Sequence, residues 1–322
     1  MNVSLIICTY NRCAMLSKAL ESVAASEMPP SVEWEVLVVD NNSADQTRAA
    51  VLEFATRHPG RFRYVSETKQ GLSNARNAGI LAARGEVIAF TDDDVIVDPA
   101  WLRNLTRCLL ERTSAGSGGR VLPLQSVVLP RWLSLNGPYA LGGVVAALFD
   151  EGLEPKKLNE AAYGANMAFR KEVFQSHGYF RPDLGRRPGS LISNEDTEFG
   201  KRLTAAGERL SYEPSAIVYH PVLEERLNKK YVLEWFFHDG RAVTLQKVER
   251  PPVLGIPWRY ISIFNIAVRL LPLKIAQWML AVDPQRRFFL KCRVWRTAGE
   301  IVELWRGNSV AVSGNLRPTV ER

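Results

Sequence analysis

The stretch VIAFTDDDVIVDP, residues 87–99, constrains this chain more than any other. Val87, Ile88, Ala89 and Phe90 form a short apolar run behind Gly85, the pattern of a buried parallel strand. The run stops at three consecutive carboxylates, Asp92, Asp93 and Asp94. Adjacent negative charges repel one another unless a cation neutralises them. Open α/β sheets place ligands at the carboxyl ends of their strands. The pattern points to a hard divalent cation carrying a phosphate-bearing ligand. A solvated acidic turn leading into a helix near Pro99 is the plainer alternative.

Upstream, apolar runs alternate with helical periodicity. Val3–Cys8 and Glu35–Val39 predict strands, and so does the segment from Arg61 to Ser66. Helices are expected from Cys13 to Ala25, from Ser43, as cap, to Arg57, and from Gly71 to Ala83 with Gly85 as the stop. This β-α-β-α-β-α-β order predicts an α/β fold with a doubly wound, mostly parallel sheet. Downstream, a helix with Trp101, Leu102, Leu105 and Leu109 on its core face is expected over 99–112. Further strands are expected at 116–122 and 210–219, and a strand leading into a helix at 164–174. A helix over 193–207 would be capped by Ser193 or Asn194. Residues 123–160 and 181–192 read as irregular, and such long loops are often functional. No G-x-G-x-x-G follows the first strand and no G-x-x-x-x-G-K-[ST] occurs anywhere, which removes the common phosphate-loop classes.

The net charge of +7 is unevenly spread. Residues 1–220 hold 24 Lys and Arg against 25 Asp and Glu, and residues 221–322 hold 17 against 9. A basic last third suits an anionic surface, or simply a solvated face. The four cysteines, Cys8, Cys13, Cys108 and Cys292, have no metal-ligand spacing, which fits a reducing cytoplasm. The N-terminus lacks the features of a signal peptide. No segment offers about 18 uncharged apolar residues in a row, so no spanning helix is expected.

Seven segments then fall into a known order: SLIICTYNR, VVDNNSADQT, GLSNARNAG, FTDDDVIVDP, GANMAFRKEVF, NEDTEFGKRL and YEPSAIVYHP. Together they resemble glycosyltransferase family 2, inverting enzymes of the GT-A fold, over residues 1 to about 221. The resemblance implies a GT-A catalytic domain over 1–221, with a nucleotide-binding half fused to an acceptor half. It implies that Thr9, Tyr10, Asn11 and Arg12 line the nucleotide, and that Asp40 accepts a hydrogen bond from the base. Asn42, Gly71, Ala75, Arg76, Asp92 and Asp93 complete the expected nucleotide site, although Asp40 and Asn42 suit helix-cap roles as well. Asp94 and Asp92 are the expected ligands of Mn²⁺ or Mg²⁺, which would bridge the donor's two phosphates. His220 either completes that set or is structural. Asp196 is the implied general base, with Glu195 the alternative, and Gly164, Ala165 and Asn166 are expected near the donor sugar or acceptor.

Residues 222–322 lie outside the resemblance. Helices are expected near 228–249, 257–282 and 284–306, rich in Trp, Phe, Leu and Ile with Arg and Lys interspersed. Such a basic amphipathic region suits an anionic membrane surface, packing on the catalytic domain, or a homodimer contact. No nucleic-acid module is recognisable. The expected activity is metal-assisted transfer of a sugar from a nucleotide sugar, UDP-linked by expectation, to a glycan or lipid-linked hydroxyl. It would serve polysaccharide synthesis in the cytoplasm, with the enzyme peripheral at the inner face of the cell membrane. A sugar-nucleotide pyrophosphorylase would need a Gly-rich first loop, which CTYNR does not supply. A non-catalytic sugar-nucleotide or membrane-surface binding protein is the other alternative.

Overall fold

A computed structural model describes residues 1–247 and 250–307. In chain order the front half runs β1 (Val3–Thr9), α1 (Cys13–Ala24), β2 (Trp34–Asp40), α2 (Thr47–Arg57), β3 (Phe62–Ser66), α3 (Leu72–Ala82), β4 (Val87–Asp92), β5 (Ile96–Val97) and α4 (Trp101–Leu110). It continues with β6 (Gly116–Pro123), α5 (Gly142–Ala146), β7 (Lys156–Leu158), β8 (Met167–Arg170), α6 (Lys171–His177), α7 (Glu195–Ala205) and β9 (Leu210–His220). Among the described residues these strands form one sheet in the order β3-β2-β1-β4-β8-β6-β9-β5, with β7 on β9. β1 to β4 are parallel to their neighbours in that set, β8 runs antiparallel between β4 and β6, and β9 is parallel to β6.

Both faces of the sheet are covered, which is why its strands read as apolar runs rather than alternations. Leu5 and Ile7 pack with Leu16, Leu20, Trp101 and Leu105 on one face. Ile6 on the other packs with Ile80, Phe90, Phe174 and Phe199. The chain moves outward from β1 to β3 and returns on the far side of β1 as β4. That reversal opens a crevice beyond the carboxyl ends of β1 and β4, where Thr9 and Asp92 lie.

Local chemistry departs from expectation at three helix ends. α2 begins at Thr47, not near Ser43, because Asp45 accepts hydrogen bonds from the Thr47 N–H and hydroxyl. Ser43 Oγ instead accepts from the Asn11 N–H. α3 ends at Ala82, and the Gly85 N–H donates to Ser4 Oγ rather than closing the helix. Asn194 stands at the start of α7, but its side chain donates to Asp239 and caps nothing.

After β9 come α8 (Lys229–Leu245), α9 (Trp258–Asn265), a π turn (Ile266–Leu270), α10 (Leu271–Leu280) and α11 (Pro284–Arg306). Asn228 and Asp283 cap α8 and α11 through the Tyr231 and Arg286 N–H groups. Pro272, which has no N–H, falls in the first turn of α10, directly behind the π turn. Val232, Phe288 and Cys292 pack with Leu133, Leu141 and Val145, so these helices close over the irregular stretch before β7. One finding bears on the sequence expectation of no spanning helix. Trp258–Leu280 is long and apolar enough to cross a membrane by length and composition, with a mean hydropathy of 1.3 over its best 18 residues.

Candidate active site

The crevice holds a cavity of about 500 Å³ lined by the ends of β1 and β4, the start of α7, and residues of α3, α5 and α8. Its floor is the acidic trio. Thr9 Oγ1 donates to Asp93 Oδ2 at 2.7 Å, and Arg12 Nη1 donates to Asp93 Oδ1 at 3.1 Å and to Asp94 Oδ2 at 2.9 Å. Burial raises the Asp93 carboxyl to about 7, with Arg12 opposing and the Asp94 charge adding. Asp93 thus holds the β1 loop.

Asp92, Asp94 and His220 each offer a ligand atom within 4.8 Å of the others. Oδ1 of Asp94 is buried and accepts no hydrogen bond. A buried carboxylate oxygen with no donor is costly unless something cationic fills the gap. His220 Nδ1 lies 2.9 Å from the Pro221 carbonyl, which can only accept. Nδ1 therefore donates there, and Nε2 is turned toward Asp94 Oδ1 at 3.4 Å. Two carboxylates and an oriented imidazole are a donor set suited to a divalent cation. Arg226, buried and lining the cavity, brings its guanidinium within 3.9 Å of Asp94 Oδ2.

Opposite this set stands a second network. Arg76 is 3% exposed and donates through Nη1 to Glu195 Oε1 at 2.5 Å, with Nη2 3.9 Å from Asp92 Oδ1. Burial opposes its charge, but Glu195 and Asp92 outweigh burial and its pKa is raised. Burial also raises Glu195, against the pull of Arg76. Asp196, the next residue, is more open. Its Oδ2 accepts from the Gly164 N–H at 2.9 Å and its Oδ1 from the Thr197 N–H at 2.7 Å. Those two bonds fix the carboxylate at the helix start.

Gly164 is required by close approach. A Cβ there would lie 1.9 Å from Arg76 Nη2. Gly164→Ala is expected to displace the guanidinium and lower stability by about 1–3 kcal/mol, seen as a fall in melting temperature. An unchanged melting curve would mean that Arg76 has room to move.

Thr9, Tyr10, Arg12, Ala75, Arg76, Asp92, Asp93 and Asp94 line the cavity, as do His220, Gly164, Ala165, Glu195 and Asp196. Asp40 is not among the lining residues; Tyr64 Oη donates to its Oδ2 and the Ser43 N–H to its Oδ1. Asn42 and Asn11 sit at positive φ in the connecting loops, and Asn11 Oδ1 accepts from the Ala44 N–H. Gly71, at φ 133°, donates its N–H to Asn41 Oδ1. Asn166 is fully buried, accepting from Trp101 Nε1 and donating to the Arg120 and Ala216 carbonyls. Sequence reasoning missed Asn41, Gln70, Tyr163, Arg186, Arg187, Arg226 and Trp235, all of which line the cavity. Only Arg186 and Arg187 had a visible signal, the Gly-, Pro- and Arg-rich loop.

An open sheet with this switch-point cleft and its flanking antiparallel strands is the GT-A architecture of glycosyltransferases. The family model described as glycosyl transferase family 2 matches residues 4–178, and the chain belongs to that family. Among curated relatives, the succinoglycan biosynthesis protein ExoM of Rhizobium meliloti is 27% identical over 75% of this chain and 74% of its own. The glucosyl-dolichyl phosphate glucuronosyltransferase of Haloferax volcanii is 28% identical over 74% of this chain and 75% of its own. Among solved structures, the mannosyltransferase PcManGT of Pyrobaculum calidifontis, in complex with GDP-Man and Mn²⁺, superposes with a TM-score of 0.59. It is 20% identical, and the match covers 95% of this chain and 87% of that one.

Proposed function

We propose that this glycosyltransferase moves a sugar, with inversion, from a nucleoside-diphosphate donor to a hydroxyl of a glycan or lipid-linked acceptor. The reading is supported above all by the pairing across one cavity of a cation-competent set, Asp92, Asp94 and His220, with an oriented carboxylate, Asp196. A relative named for a dolichyl phosphate substrate and another named for succinoglycan biosynthesis support the acceptor class. Residues 1–221 would form the catalytic unit, although Arg226 and Trp235 beyond it reach the same cavity.

Asp92, Asp94 and His220 would hold the divalent cation, and the imidazole favours Mn²⁺ over Mg²⁺, which prefers oxygen ligands alone. Bound there, such an ion supplies charge neutralisation for the departing diphosphate. Arg226 adds a second positive charge to the same oxygens. The nucleotide lies along Thr9–Arg12, Asn41 and Gln70. Asp196 takes the proton of the acceptor hydroxyl as it attacks the anomeric carbon. Glu195 is less suited, because Arg76 already engages it.

A panel of nucleotide sugars in a thermal-unfolding assay tests this directly. One donor should raise the melting temperature in the presence of Mn²⁺ and much less without it, and acceptor should then trigger nucleoside-diphosphate release. Consumption of a sugar phosphate with a nucleoside triphosphate would overturn the assignment.

A further inference from the structure

The helix Trp258–Leu280 presents almost its whole length to solvent: only 6% of its most apolar 18 residues is buried. Phe264, Met279 and Leu280 are 69%, 68% and 81% exposed, and Val268, Leu270 and Leu273 continue the same apolar surface. The preceding loop adds exposed Val253, Leu254 and Ile256. A surface of this kind marks an interaction site. The charges along it are basic, and Asp283 just past its end is engaged as the cap of the next helix. Residues 250–282 hold Arg250, Arg259, Arg269 and Lys274 and no Asp or Glu, and Arg286, Arg287 and Arg293 stand exposed on the next helix.

We propose that the outward face of α9 and α10 docks into one leaflet of an anionic bilayer, lying in its surface without crossing it. At about 34 Å from 23 residues, the helix is long enough to span. Its neighbour forbids that. Lys274 Nζ donates to Thr297 Oγ1, Trp278 meets Trp295 edge-on, and Tyr260 meets Trp305, so the helix lies along α11. α11 is in turn clamped to α8. A Cβ on Gly240 would lie 1.9 Å from the Arg296 carbonyl, and Arg241–Glu303, Arg296–Asp239 and Lys247–Glu300 are ion pairs between the two. Carrying α11 with those charges into hydrocarbon costs several kcal/mol per group, and parting it from α9 and α10 strips their one packed side. The stable arrangement keeps α11 and the catalytic body in water. The apolar face sinks into the acyl boundary while the flanking Arg and Lys meet lipid phosphates. A second copy of the chain fits less well, because two such basic surfaces would repel.

The full chain should co-sediment with vesicles of phosphatidylcholine and phosphatidylglycerol at least tenfold better than with phosphatidylcholine alone. Phe264→Gln, Leu273→Gln and Leu280→Gln combined should lower that binding at least tenfold while leaving the melting temperature and Mn²⁺-dependent donor binding intact. Bound protein should be released by alkaline carbonate. Equal binding by wild type and the triple variant overturns the proposal. Retention through carbonate overturns the flat orientation. A dimer in sedimentation velocity that the triple variant dissolves, without vesicle binding, gives the face to a second copy. Because donor binding is read separately, failure here leaves the catalytic proposal standing.

Discussion

Asp196→Asn is expected to lower turnover by about 10²–10⁴ while donor binding persists. The substitution keeps size and shape, and the Asn carbonyl still accepts one of the two backbone N–H groups now held by the carboxylate. The other loses its partner, which costs about 1 kcal/mol of stability. The ability to receive a proton is lost outright. Turnover is read as nucleoside-diphosphate release at saturating donor and acceptor, and binding by calorimetry with Mn²⁺. Wild-type turnover would move the base to Glu195. In that event Glu195→Gln should show the loss instead, together with a lower melting temperature because its pairing with Arg76 is weakened.

Asp94→Ala should remove the Mn²⁺ dependence of nucleotide binding. At a ligand concentration of about 100 Kd the wild type gains about 2.7 kcal/mol of stability from binding. The variant should gain little of this at the same concentrations of UDP and Mn²⁺. It also leaves Arg12 with one carboxylate partner instead of two and removes the negative charge facing Arg226. The clearest sign is therefore the loss of difference between melts with and without the metal, rather than the absolute melting temperature. An Mn²⁺ titration identical to the wild type would sink the role of Asp94.

The halves of the site were unequally visible in the residues. The acidic trio could be read because three charges at the end of an apolar strand have few uses in a fold, and β4 delivers them to the cleft as its pattern required. The assignment within β2 was harder. Asp40 and Asn41 are consecutive, and consecutive residues leaving a strand point to opposite sides. Tyr64 on the neighbouring strand captures Asp40, while Asn41 faces the cavity and donates to the Glu67 and Lys69 carbonyls. No local pattern tells which of the two goes inward. Asn166 is similar. It lies in a motif shared with cleft residues, yet Trp101, 65 positions away, claims its carbonyl.

The amino-acid order on its own determined the alternation of strands and helices, the carboxyl ends of β1 and β4 as the edge of a cleft, and the carboxylates that stand there. These follow from short-range periodicity and from the cost of unneutralised charge, both written along the chain. Tertiary structure alone decided the rest: Nε2 of His220 turned toward Asp94, the guanidinium of Arg76 filling the space above Gly164, the arrival of Arg226 and Trp235 from beyond β9, and the long apolar helix left bare on one side. Each depends on which distant segment occupies the neighbouring space, and that is settled by packing rather than by sequence neighbours.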